Sequence, residues 1–154
     1  MPHSILLKLV TFVSLAFFQS TSFAEESAEQ FFAHYLDSYN AHDPVAASQH
    51  YHQEVMITGV GSTPRLLSNE QMKQFLAGFL ASQKSNDIVS FEWASMNVFS
   101  LSDKVAIASN IASRSNSQGE FIENAAGTFI ANRINNQWKI VSLNIHASEN
   151  VIAQ

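Results

Sequence analysis

Apolar residues recur early in the chain at Phe31, Phe32, Tyr35, Leu36 and Tyr39, which is the stripe of one face of an amphipathic helix. Ser27-Ala28-Glu29-Gln30 stands just before it as a capping box, with the Ser27 hydroxyl able to accept from the backbone of Gln30 while the Gln30 side chain reaches back. The helix is expected to end near Ala41 to Asp43. Asp43-Pro44 then opens a second, short helix, Asp43 as N-cap and Pro44 at the first position, where a missing N–H costs nothing. Val55 to Thr58 reads as a short strand closed by Gly59 and Gly61. Ser68-Asn69-Glu70-Gln71 is a second capping box, and Met72, Phe75, Leu76, Phe79 and Leu80 follow it at the clearest helical spacing in the chain.

From there the pattern changes to strand-like stretches over Ile88 to Phe99, Lys104 to Ser115, Glu120 to Ile134 and Gln137 to His146. Their separators, Ser100 to Asp103, Asn116 to Gly119 and Asn135-Asn136, are short and turn-like. Neighbours joined this tightly are antiparallel, because a parallel pair needs a crossover of about a dozen residues. The order predicts an α+β domain with three N-terminal helices packed on one face of a curved, mainly antiparallel sheet.

Composition fits one globular unit: 154 residues, 46% hydrophobic and 14% charged, without a linker or internal repeat. The formal charge of −5 and the scattered basic residues argue against nucleic acid and against a basic membrane-binding face. The absence of cysteine removes disulfides, thiol catalysis and cysteine metal sites. Residues 1–24 carry the one pattern that speaks of location. Lys8 precedes a short apolar run, Leu9 to Phe18, and Ser22-Phe23-Ala24 offers small residues at the two positions a signal peptidase reads. The run is too short to span a bilayer, which takes about 20 residues. The expectation is a cleaved signal peptide over residues 1–24, a mature domain over 25–154, and a periplasmic or secreted protein. Loss of Lys8 takes the formal charge from −5 to −6.

Tyr35, the turn Asn40-Ala41-His42-Asp43 and Tyr51, then Gly59 to Gly61 and Trp138-Lys139-Ile140-Val141, occur in an order that resembles the nuclear-transport-factor-2-like superfamily, whose small bacterial members include SnoaL-like polyketide cyclases and ketosteroid isomerases. The resemblance spans nearly all of Ser27 to Ser148. It implies a cone-shaped fold with a small-molecule pocket between the first helix and the concave sheet face, and a homodimer formed through the outward face, where Val105, Ile107, Phe121 and Phe129 are candidates. Tyr35 falls where the steroid isomerases keep an oxyanion-binding tyrosine. Ile57-Thr58-Gly59 has no carboxylate at the position of their base, and Ala125 to Ile134 has none where they place a protonated acid. That particular proton shuttle is therefore not expected.

The ligand-binding candidates are Tyr35, Tyr39, His52, Trp93, Asn144 and His146. Tyr35 and Tyr39 lie one turn apart on the apolar stripe, where core packing is the ordinary role. Phe91 and Trp93 share a strand face, again in the manner of a core. His50 and His52 lie too close in sequence to chelate, so neither metal nor cofactor is expected. On the last strand, simple alternation puts Trp138, Ile140, Ser142, Asn144 and His146 on one face and Val141, Leu143 and Ile145 on the other. Either face could line a pocket. Glu54 and Glu123 read as solvated. The functional expectation is a protein that binds a small apolar molecule. One alternative is an isomerase, cyclase or dehydratase using Tyr35 with His146 or His52; another is an interaction module without a ligand.

Overall fold

The computed structural model describes residues 25–152, so the proposed signal segment lies outside the described residues. Two helices come first, α1 (Ala28–Asn40) and α2 (Pro44–Gln49). A hairpin follows, β1 (Tyr51–Thr58) with β2 (Arg65–Ser68), and then the long helix α3 (Asn69–Ser85). The meander β3 (Ser90–Ser100), β4 (Val105–Ser115), β5 (Phe121–Ile134) and β6 (Gln137–His146) completes the chain. Only two helices therefore precede the first strand, and only α1 and α3 are long. Among the described residues no helix is long and apolar enough to cross a membrane.

The six strands form one mixed sheet in the order β2-β1-β6-β5-β4-β3. β3 to β6 pair antiparallel throughout, as their short connections require, and Asn135 and Asn136 both adopt positive φ in the two-residue turn between β5 and β6. β1 closes the sheet by running parallel to β6, Tyr51 facing Ile140 and Ile57 facing Leu143. β2 was not expected from sequence. It is a four-residue edge strand, three of whose residues are exposed, and so it carries no hydrophobic alternation.

Local chemistry fixes the helix starts. Ser27 and Ser68 each accept from the backbone three residues on, and Gln30 and Gln71 return the bond. Asp43 caps α2 by accepting from the N–H groups of Val45 and Ala46. The stripe of α1 packs Phe31, Phe32 and Tyr35 onto the sheet, where they meet Val55, Ala106, Ala108, Phe129, Ala131 and Ile140. Phe129 therefore belongs to the helix-side core, its ring 5.6 Å from that of Phe32, and cannot serve the outward face as expected. Phe121 is exposed, and Val105 and Ile107 are half-buried.

The last strand corrects the alternation read from sequence. Ile130 faces Ser142 while Ala131 faces Ile140, so Val141 is an extra residue in β6. A bulge shifts the parity of everything beyond it. Trp138 and Ile140 point to the helices before the bulge, and Leu143 and Ile145 do so after it. Asn144 and His146 are consequently turned to the opposite face.

Candidate functional site

The helices do not cover the whole concave face. Beyond the Phe32–Phe129 contact, α1 and α3 stand away from the sheet and leave a cavity of about 140 Å³. Its walls are aromatic: Tyr35 and Tyr39 from α1, Phe75 and Phe79 from α3, Phe91 and Trp93 from β3. Its floor is made of small residues on the paired strands, Ala112 of β4 and Ala125, Ala126 and Gly127 of β5. A Cβ at Gly127 would lie 3.2 Å from Phe129 and 3.3 Å from Leu143, so the glycine keeps this floor low. Large walls over a small-residue floor shape a slot for a flat group.

Two clamps hold the aromatic wall. The Asn40 side chain donates to the Phe91 carbonyl at 2.9 Å and accepts from the Phe91 N–H at 2.8 Å. His42, held at a φ of 50°, donates through Nε2 to the Val89 carbonyl at 3.1 Å. The turn Asn40-Ala41-His42-Asp43 thus ties the end of α1 to the start of β3 and caps α2. Trp93 is fixed in turn by its indole N–H, which donates to the Phe32 carbonyl at 3.2 Å, and its ring lies nearly parallel to that of Tyr35.

Three tyrosine hydroxyls meet beside the cavity. Tyr35 donates to Tyr39 at 2.8 Å and lies 2.6 Å from the hydroxyl of Tyr51. A phenol has one proton. With that of Tyr35 spent on Tyr39, Tyr51 must donate to Tyr35, and the proton left over is that of Tyr39. Tyr39 and Tyr51 are 3.4 Å apart, a long contact. The donor that sequence assigned to Tyr35 is therefore consumed inside the protein, and Tyr39, which is half-buried and lines the cavity, carries the spare one. Burial raises the pKa of all three phenols, foremost for Tyr35 and Tyr51, so they remain neutral at physiological pH.

Besides the tyrosines, two polar side chains stand among the apolar ones, Asn110 and Arg114. Asn110 points inward from β4, directly opposite Gly127, and is 1% exposed; neither its amide oxygen nor its amide nitrogen has a hydrogen-bond partner. A buried polar group left unpaired costs about 1–3 kcal/mol. Arg114, two pleats along the same face, lies at the outer end with Ile145. Its guanidinium donates to Glu123 at 2.7 Å and sits 5.5 Å from the centre of the Phe79 ring. Glu123 is thus the partner of Arg114 rather than a free solvated acid.

The structure brings Tyr35, Tyr39 and Trp93 together at one cavity, and does not bring His52, Asn144 or His146 there. His52 lines a separate, open polar groove with Asn69 and Lys139. His146, sent outward by the bulge, lies 2.9 Å from the Thr128 hydroxyl on the far side of the sheet. Asn110, Arg114 and Gly127 were missed in the sequence. Asn110 did leave a trace, because it interrupts the row Ala106, Ala108, Ala112 on the core-facing parity of its strand. Among the described residues, no three His, Cys, Asp or Glu side chains gather as a metal site would require.

Residues 24–148 match a family described as NTF2-like protein (DUF6841). No curated protein is similar in sequence. Among solved structures, an NTF2-like protein of unknown function from Pseudomonas putida KT2440 superposes with a TM-score of 0.65 at 13% identity, covering 80% of this chain and 86% of that one. An NTF2-like protein with a cystatin-like fold from Novosphingobium aromaticivorans gives 0.63 at 14% identity, with 79% of each chain covered. One of unknown function from Shewanella oneidensis MR-1 gives 0.59 at 15%, covering 76% of this chain and 93% of that one. Similarity at this level concerns the fold alone.

Proposed function

The chain belongs to the NTF2-like family, and on that premise we propose that it is an exported protein that binds a small, largely apolar molecule in the cavity between α1, α3 and the concave sheet face. The carrying observation is the cavity itself, lined by aromatic and small apolar groups with few polar ones: the tyrosine hydroxyls, Arg114 at the outer end and the buried Asn110. A concave, mostly apolar space with a few polar groups is the usual form of a small-molecule site. Binding is favoured over proton transfer because the lining contains no carboxylate and no histidine, while the tyrosines are held neutral by burial. Nothing in the cavity accepts a proton at neutral pH.

Export rests on the sequence of residues 1–24 and fits a family match that starts at residue 24. Glu25 and Glu26, the first residues of the proposed mature chain, are tied to the domain: Arg133 pairs with the Glu25 carboxylate, and both Arg133 and Trp138 donate to the Glu26 carbonyl. N-terminal sequencing of protein recovered outside the cytoplasm is expected to start at Glu25, and an intact Met1 there contradicts it. A homodimer through the outward sheet face is part of the proposal, with light scattering at micromolar concentration expected to give twice the chain mass.

Isothermal titration with acetophenone, a one-ring ketone, tests the cavity. Saturable one-site binding is expected in the wild type and its loss in Ala112→Phe, which fills the floor. No saturation in the wild type, or unchanged binding in the filled variant, contradicts the reading.

A further inference from the structure

Among the described residues that line the cavity, Arg114 is the one that carries a charge, and it selects the chemistry of the ligand; this step rests on the binding role proposed above. Arg114 stands on β4 beyond the Ala112–Ala125 pair, between Phe91 on β3 and Glu123 on β5, with its guanidinium carbon 5.5 Å from the centre of the Phe79 ring. The group is at the mouth of the cavity and is not sealed in: its side chain is 16% exposed and that of Glu123 51%. Its charge is also felt inside, since burial raises the Tyr39 pKa and the Arg114 cation works against that rise.

A cation at the mouth discriminates among apolar ligands by their charge. It repels a second cation, and a neutral ring gains from burial alone. A ring with one carboxylate keeps its apolar body in the slot and sets its charge on the guanidinium, which takes carboxylates through short, charge-assisted hydrogen bonds. Glu123 already displays that bond, and holds it by one contact, Nη1 donating to Oε1 at 2.7 Å, from a half-exposed position. An ion pair open to water contributes little, so returning Glu123 to solvent costs little. The incoming carboxylate brings an apolar body that is buried at the same time. A cavity of about 140 Å³ has room for about one aromatic ring, and the walls present flat faces to it. We infer that the cavity is a site for one-ring monocarboxylic acids, held as anions by Arg114 in exchange for Glu123.

Benzoate, benzamide and benzamidine have nearly one shape and are, at pH 7, an anion, a neutral molecule and a cation. Apolarity alone favours benzamide over both ions. Isothermal titration of the wild type is expected to place benzoate first, about tenfold tighter than benzamide, with benzamidine last. Glu123→Gln removes the competing carboxylate and is expected to tighten benzoate about threefold while leaving benzamide unchanged. Glu92→Gln, which removes a like charge from the outward side of β3, is expected to change neither. Arg114→Met keeps an apolar stem against Phe79 and is expected to bring benzamide ahead of benzoate. Ala112→Phe, which fills the floor, is expected to abolish benzoate binding. The inference is overturned if the wild type prefers benzamide or benzamidine, or if Arg114→Met retains the preference for benzoate. It is overturned equally if Glu123→Gln leaves benzoate unchanged, if Glu92→Gln tightens it as much, or if its binding survives Ala112→Phe. When the wild type prefers another probe, saturable binding that Ala112→Phe abolishes leaves the cavity's binding role standing. Absence of saturable binding by all three removes that role, and this inference with it.

Discussion

Asn40 and Phe91 are 51 positions apart, and one amide side chain occupies both the N–H and the C=O of the other's backbone. This pair sets the distance between the end of α1 and the start of β3, and so the separation of Tyr39 from Phe91 across the cavity, whose ring centres lie 6.1 Å apart. Asn40→Ala leaves two backbone groups of a buried residue to find other partners. A loss of about 1–3 kcal/mol is expected in urea denaturation. Asn40→Asp should recover little, because a carboxylate cannot donate to the Phe91 carbonyl. Wild-type stability in the alanine variant contradicts the role given to this clamp.

The three tyrosine hydroxyls are not equivalent. Tyr35 sits in the middle of the chain from Tyr51 to Tyr39, so Tyr35→Phe strands the buried Tyr51 hydroxyl and is expected to cost about 1–3 kcal/mol. Tyr39→Phe takes the acceptor from the Tyr35 proton but leaves the Tyr35–Tyr51 bond in place, and is expected to cost less, about 0.5–1.5 kcal/mol. Denaturation of the two variants side by side gives the order; Tyr39→Phe as the more damaging change contradicts the central place given to Tyr35.

His50 caps α2 with its ring edge-on to Phe31 and Tyr35. Burial lowers its pKa, and the Lys139 charge lowers it further, against a smaller opposing effect of Glu26. The folded protein therefore binds this proton less readily than the unfolded chain. Stability from the neutral ring is fully present above the unfolded pKa of about 6.5 and is lost as pH falls from there towards the lower folded value. His50→Gln is expected to reduce the fall in melting temperature between pH 7 and pH 5. An unchanged pH profile in the variant contradicts this.

The helices and the four-stranded meander were legible in sequence because each is set by local chemistry: two capping boxes, an Asp-Pro start, unbroken apolar stripes and short turn-like separators. What escaped depends on non-local pairing. β1 begins at Tyr51, four residues before its readable apolar part, and its register against β6 shifts between Tyr51 and Met56. The bulge at Val141 has no turn residue to announce it, yet it decides that Leu143 and Ile145, rather than Asn144 and His146, face the cavity. Tyr35, Tyr39 and Trp93 could be singled out by helical spacing, strand parity and resemblance. Asn110 could not be separated from an outward-facing asparagine until the register of β4 was known.

The direct measurement is a heteronuclear NMR titration of the protein with acetophenone, read at assigned resonances. Saturable shifts are expected at the methyl groups of Leu143, Ile145 and Ala112, the backbone amide of Gly127 and the side-chain amide of Asn110, and none at His52, Asn69 or Lys139 in the polar groove. Shifts centred on the groove, or no saturable shift at the cavity residues, contradict a binding site between α1, α3 and the concave face of the sheet.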